Sequence, residues 1–146
     1  MKIVGIDSAV KGLAIVSLPN EHLWIPQAKT YNDTLLKFFN ECATIQCDEV
    51  FIEEVVYVRN YKSTLLLAGV YAVVKLAFLL RNIPVNSVNN MTWKAKVVGT
   101  GKANKAQIKE FVMKSDLFAL PDSVSYDIAD AACIALYGER LKKIAD

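Results

Sequence analysis

One histidine, His22, stands in the whole chain of 146 residues. It lies beside Leu23 and Trp24 in a strand-like run, so a core or surface side chain is expected ahead of a histidine-based catalytic triad. The three cysteines, Cys42, Cys47 and Cys133, are odd in number and lack the paired spacing of a metal site. They read as reduced thiols of a cytoplasmic protein, not as a disulfide framework. Four prolines and six glycines are too few for a linker or a low-complexity tract. With no internal repeat, residues 1–146 read as a single domain. The formal net charge of +2 is too small to announce a polyanionic partner by itself. No leader pattern opens the chain, whose first residues alternate as a strand with Asp7 inside it. The longest apolar stretch, 64–80, is interrupted by Lys75 and is short for a membrane span, so no membrane association is expected. A helix apolar all round instead belongs in a core or against a second subunit.

What is present points to a packed α/β domain. Hydrophobic residues make up 53% of the chain and charged residues 22%, which excludes general disorder. Three strands are expected over 2–7, 12–17 and 22–25, separated by turn signals at 8–11 and at Pro19–Asn20, as an antiparallel meander. Asn32 or Asp33 is placed to cap a helix reaching about Ala43. A fourth strand is expected over 49–54, a long helix over 62–81 and a fifth strand over 84–88. A short helix or loop then covers 89–98. A helix follows over 103–115 with Ile108, Phe111 and Val112 on its apolar side, and a last helix runs over 126–142. This order predicts a mixed five-stranded sheet flanked by helices and resembles the RNase H-like fold.

Four acids are separated in sequence but placed to converge. Asp7 and Glu53 stand at the ends of apolar strand-like runs, while Asp127 and Asp130 open a helical pattern at i, i+3 and so share one helical face. Glu53 and Glu54 point to opposite faces of their strand, and alternation alone does not choose between them. A solitary acid is usually a surface carboxylate, and Asp127 would also suit a helix N-terminus. Four acids in one place need a cation, and an all-oxygen set selects Mg²⁺, with Mn²⁺ able to substitute. Such a site suits two-metal phosphodiester hydrolysis.

Between Lys94 and Lys114 lie six lysines (Lys94, Lys96, Lys102, Lys105, Lys109 and Lys114) and a single acid, Glu110. This local basic stripe can track phosphates, where the plain alternative is a solvated helix face. Within it, VVGTGKANK fails the phosphate-loop pattern G-x-x-x-x-G-K-S/T, since Lys96 replaces the first glycine and Ala103 the hydroxyl residue. No nucleotide cofactor is therefore expected.

The segments KIVGIDSAVKGLAIV, VFIEEVVYVRNYKSTLLLAG, WKAKVVGTGKANKAQIKEFV and YDIADAACIAL, in this order, resemble the RuvC-type Holliday-junction resolvases. The most specific piece is K-x-x-V-V-G-x-G-x-A-x-K-x-Q-V/I followed by D-x-A-D-A-x-x-I-A. The resemblance implies a homodimer that makes paired, metal-dependent nicks in branched DNA. By motif position it makes Asp7, Glu53, Asp127 and Asp130 the metal-binding acids, selecting Glu53 over Glu54. It also assigns Lys94 and Lys105 to DNA contact, with Lys105 taking part in catalysis, and the apolar helix after Glu53 to the dimer interface. Charge introduced at Leu66 or Val73 should then weaken association. Lys102, Tyr57, Arg59 and Tyr61 complete the expected DNA-binding set, the tyrosines because an aromatic ring can stack on a base.

Departures from the family pattern touch the loop after Asp7 and elements expected to meet the DNA. Asp7-Ser8-Ala9 replaces the family's D-P-G, Val56 stands where a wedging phenylalanine is usual, and Leu67-Ala68-Gly69-Val70-Tyr71-Ala72 lacks the arginine of L-G-x-A-R-G. These departures and the short chain suit a phage-encoded relative working in a host cytoplasm. The competing readings are a less selective nuclease acting on forks and flaps, and a junction-binding protein without efficient catalysis. A sugar-kinase-like phosphotransferase is disfavoured, since the chain supplies one such domain and no nucleotide loop.

Overall fold

A computed structural model describes residues 1–56 and 59–145. Five strands form one sheet: β1 (Ile3–Ala9), β2 (Gly12–Ser17), β3 (Glu21–Pro26), β4 (Glu49–Glu53) and β5 (Val85–Val88), in the spatial order β3-β2-β1-β4-β5. The first three are joined by short turns and pair antiparallel, whereas β4 adds parallel to β1 and β5 parallel to β4. The helices are α1 (Tyr31–Cys42), α2 (Tyr61–Leu79), α3 (Asn90–Trp93), α4 (Lys105–Lys114) and α5 (Tyr126–Ala145). A π-helical turn, Lys94–Val98, continues directly from α3 and ends on Gly99 in the left-handed region (φ 107°), which suits a residue without Cβ. This is the expected mixed sheet of the RNase H-like fold.

Alternation along the strands separates two cores. Val4, Ile6, Leu13, Ile15, Val50 and Ile52 face α1 and α2, meeting Phe38, Val70, Val74 and Phe78. Ile3, Ala14, Val16, Phe51 and Val88 face the other way, toward Ile108 and Val112 of α4 and the alanine-rich side of α5. The closest approach lies between β1 and α5. A Cβ on Gly5 would overlap the Ala131 carbonyl oxygen and the Ala135 amide nitrogen, and one on Gly138 would overlap the Phe51 ring. Small residues on both elements thus set α5 directly on the sheet.

Local chemistry adjusts the expected boundaries. Thr30, not Asn32 or Asp33, caps α1: its Oγ1 accepts from the Asp33 amide at 3.0 Å, so Asp33 becomes a residue of the first turn. Asn104 caps α4 and forms a reciprocal capping box with Gln107, which starts that helix at Lys105. In α4, Ile108 and Val112 are buried as expected, and Phe111 meets Phe118 edge-on at 6.0 Å. His22 is exposed on β3, which decides between the core and surface positions left open by the sequence. All three cysteines are free thiols, and burial pushes the Cys42 thiol up to about 12.

Candidate active site

Strand alternation and helix contact bring the acids together. Asp7 lies on β1 two residues beyond Gly5, so it shares the face on which α5 sits. The Gly5 contact fixes α5 over β1 at Ala131 and Ala135, and Asp127 and Asp130 project from the turns just before them. One carboxylate oxygen from each of Asp7, Asp127 and Asp130 lies within 4.8 Å of the others.

Glu53 stands at the end of β4, on the same face as Phe51, and is close enough to raise the pKa of both Asp7 and Asp130. It is not one of the close trio. Its Oε1 instead accepts 2.7 Å and 2.6 Å hydrogen bonds from the Trp93 indole Nε1 and the Asn90 amide. Glu54 is drawn the other way, accepting from Asn89 Nδ2 at 3.0 Å. Of the two neighbouring glutamates, then, only Glu53 joins the acidic centre.

The electrostatics are those of a site under charge stress. Burial, reinforced by the charges of Glu53, Asp130 and Asp127, holds the Asp7 carboxyl well above the ordinary carboxylate range. Burial first and Glu53 second push Asp130 up to about 7, against the opposing influence of Lys105 and Lys94. Among the described residues, Asp130 Oδ1 is buried without a hydrogen-bond partner, an arrangement that is costly unless something else satisfies the oxygen. A hard divalent cation fits: the donors are all carboxylate oxygens, they converge, and one of them is unpartnered. The histidines and thiolates that would favour zinc are absent from the cluster.

Cations frame one side of the trio. Lys105, the first residue of α4, reaches to 4.0 Å from Asp127, while Lys94 opens the π-helical turn with its ammonium 5.7 Å from the centre of the Trp93 ring. Lys11 approaches Asp127 more closely, at 3.2 Å. Lys11 was not among the expected site residues, although the turn signal at 8–11 placed it close to Asp7; Ala9 pairs with Gly12, leaving Val10 and Lys11 as a two-residue turn. Nor were Trp93 and Asn90, whose only clue was a tryptophan beside the lysine-rich motif.

The remaining candidates stand apart. Lys102 is exposed on the loop before α4, and Arg59 and Tyr61 are exposed at the approach to α2. Among the described residues, no hydrogen bond or ion pair joins these three to the acids. Tyr57 lies outside the described residues. The basic stripe also divides, since Lys114 pairs with Glu110 and Lys109 lies over the Tyr126 ring at 5.8 Å.

Comparison with known proteins follows the same lines. The family description "Crossover junction endodeoxyribonuclease RuvC" matches residues 3–137. The RuvC of Citrifermentans bemidjiense is 29% identical over 150 residues, covering 93% of this chain and 90% of that protein. The RuvC of Dehalococcoides mccartyi is 31% identical over 154 residues, covering 93% and 89%. Among solved structures, Thermus thermophilus RuvC in complex with a Holliday junction substrate superposes with a TM-score of 0.79 over 99% of this chain and 96% of that one. At 16% identity, that likeness is one of fold.

Proposed function

This chain belongs to the crossover junction endodeoxyribonuclease RuvC family, and from that premise we propose that it resolves four-way DNA junctions by paired, metal-dependent nicks. The observation that carries the proposal is the convergence of Asp7, Asp127 and Asp130 within 4.8 Å, with one buried oxygen of Asp130 unpartnered among the described residues. These three acids, with Glu53 beside them, would hold Mg²⁺ or Mn²⁺. Bound there, the ion would lower the pKa of a water and draw off charge from the phosphate.

The chain's own residues have separate tasks. Trp93 and Asn90 hold Glu53 in one orientation beside the trio. Lys11 and Lys105 flank Asp127 and offer ammonium groups to a phosphate arriving from solvent. Lys94, from its place beside Trp93, favours the charged form of Asp130 against the effect of burial. The exposed Lys102, Arg59 and Tyr61 extend this surface toward more distant phosphates and bases.

A pseudo-symmetric junction needs two such sites, and α2 offers a surface for a homodimer. Leu65, Ala72, Leu76 and Leu79 fall on one helical stripe that the chain's own core leaves uncovered, with Leu65 58% and Leu76 47% exposed. Two copies joined through this stripe would present paired centres to opposite strands.

Cleavage of a synthetic four-way junction with Mg²⁺, beside an Asp7→Asn control, tests the proposal. Paired nicks by wild type and none by the control are expected. If junctions stay intact across Mg²⁺ and Mn²⁺, the nuclease proposal fails. Competition with forks and flaps measures how selective the enzyme is.

A further inference from the structure

The strand register carries a row of side chains outward from Asp7. Asp7 pairs with Ala14 on β2, and Ala14 pairs with Trp24 on β3. Directly paired residues project from one face of a sheet, so Trp24 stands on the α5 side, two strand spacings or on the order of 10 Å from Asp7. Its indole is held in place by the glycine beneath it, since a Cβ on Gly12 would overlap the ring. Yet Trp24 remains 38% exposed, an unusual position for so large an apolar surface beside an acidic centre.

The exposed part of that ring forms one wall of a cavity of about 280 Å³. Ser123 and Ser125, from the loop before α5, and His22 supply hydrogen-bonding groups around it, and Asp127 lines it as well. The cavity therefore touches the acid trio through Asp127. Its charge is wrong for a phosphate, because Asp127 places a carboxylate on its wall and no lysine or arginine is among its described lining residues. A flat, uncharged heterocycle with hydrogen-bonding edges suits the ring, the hydroxyls and the volume.

Resting on the nuclease reading above, we propose that Trp24 is the platform of a nucleobase subsite. A base adjacent to the scissile phosphate leaves its stack and lies on the indole, while Ser123, Ser125 and His22 meet its edge. Trp24 is thus a specificity-determining residue, selecting DNA whose bases are free to unstack at the point of cleavage. Branched DNA supplies such bases and continuous duplex does not.

The test combines an abasic scan with variants at Trp24. Single abasic sites are placed at successive positions around the scissile phosphate of a four-way junction. In wild type, one position should lower kcat/KM by about 10-fold, as expected for loss of one stacked base, while the others change little. Trp24→Ala should show the same loss on the intact junction and no further loss on that abasic junction, and Trp24→Phe should retain most of the activity. A 2-aminopurine at the same position should change fluorescence on binding Asp7→Asn but not Asp7→Asn combined with Trp24→Ala. A flat scan in wild type overturns the subsite, and because it uses unaltered protein it decides the matter even if Trp24→Ala misfolds. Equal losses from Trp24→Ala on intact and abasic junctions overturn it too. Wild type that cuts junctions with a flat scan removes the subsite alone, whereas wild type that cuts no junction removes the nuclease reading and the subsite with it.

Discussion

Asp130 and Asp7 carry charge where the fold disfavours it. Both folded pKa values lie above the ordinary value of 3.8, with Asp130 at about 7. Between pH 4 and 7 the unfolded chain gives up these protons more readily than the folded one, so without metal the stability falls as pH rises through this window. Asp130→Asn should flatten that decline and raise the metal-free Tm at pH 7.5 while abolishing cleavage; a lower Tm would show that the carboxylate is satisfied by the protein itself. Trp93 acts at the same scale through Glu53. Trp93→Phe removes one of two hydrogen bonds to a half-buried carboxylate oxygen, a loss of about 1–3 kcal/mol. Metal affinity or kcat should fall by about 10-fold or more with little change in junction affinity, as comparable supporting contacts do. Divalent-ion titration of wild type and variant checks this.

Packing of α5 on β1 is the element-scale device that builds the centre. Gly5 leaves room for the Ala131 carbonyl and the Ala135 amide, and that approach puts the first turn of α5 over Asp7. Gly5→Ala should lift the helix, costing about 1–3 kcal/mol and roughly 2–4 °C of Tm per kcal/mol at this size. Cleavage should drop further than stability explains, because two of the three close acids ride on α5. Unchanged activity at a temperature where the variant is fully folded would break the link between this contact and the site. On α2, burial distinguishes the positions that the proposed interface could use. Leu66 and Val73 are half-buried within the chain's own packing, and the Leu66 carbonyl accepts the Tyr31 hydroxyl at 2.6 Å. Leu65, Leu76 and Leu79 are more exposed.

At the scale of the whole molecule, activity and association should be linked through α2. Leu76→Glu is expected to weaken a dimer by about 10-fold or more, since each lost leucine burial is worth roughly 1.5–3 kcal/mol. Leu117→Glu, at an equally exposed leucine in the loop after α4, should leave association unchanged. Sedimentation velocity separates the two, and a Leu76→Glu protein that stays dimeric places the interface elsewhere. The same variant should convert paired nicks into single ones while keeping phosphodiester cleavage, because each acid trio lies within one chain.

How much of this was legible in the sequence depends on range. Local pattern determined the element order, the two-sided burial of the strands and the identity of Asp7, Asp127 and Asp130, because periods of 2 and 3.6 residues are written into neighbouring side chains. Motif order singled out Glu53 where alternation could not. What the tertiary structure decided was every relation between distant segments. It set Glu53 on Trp93 and Asn90 instead of in the close trio, turned Lys11 toward Asp127, and aligned Trp24 with Asp7 across two strands. Such relations arise from register, helix approach and burial, and these come into being only when separated stretches of chain compete for the same space.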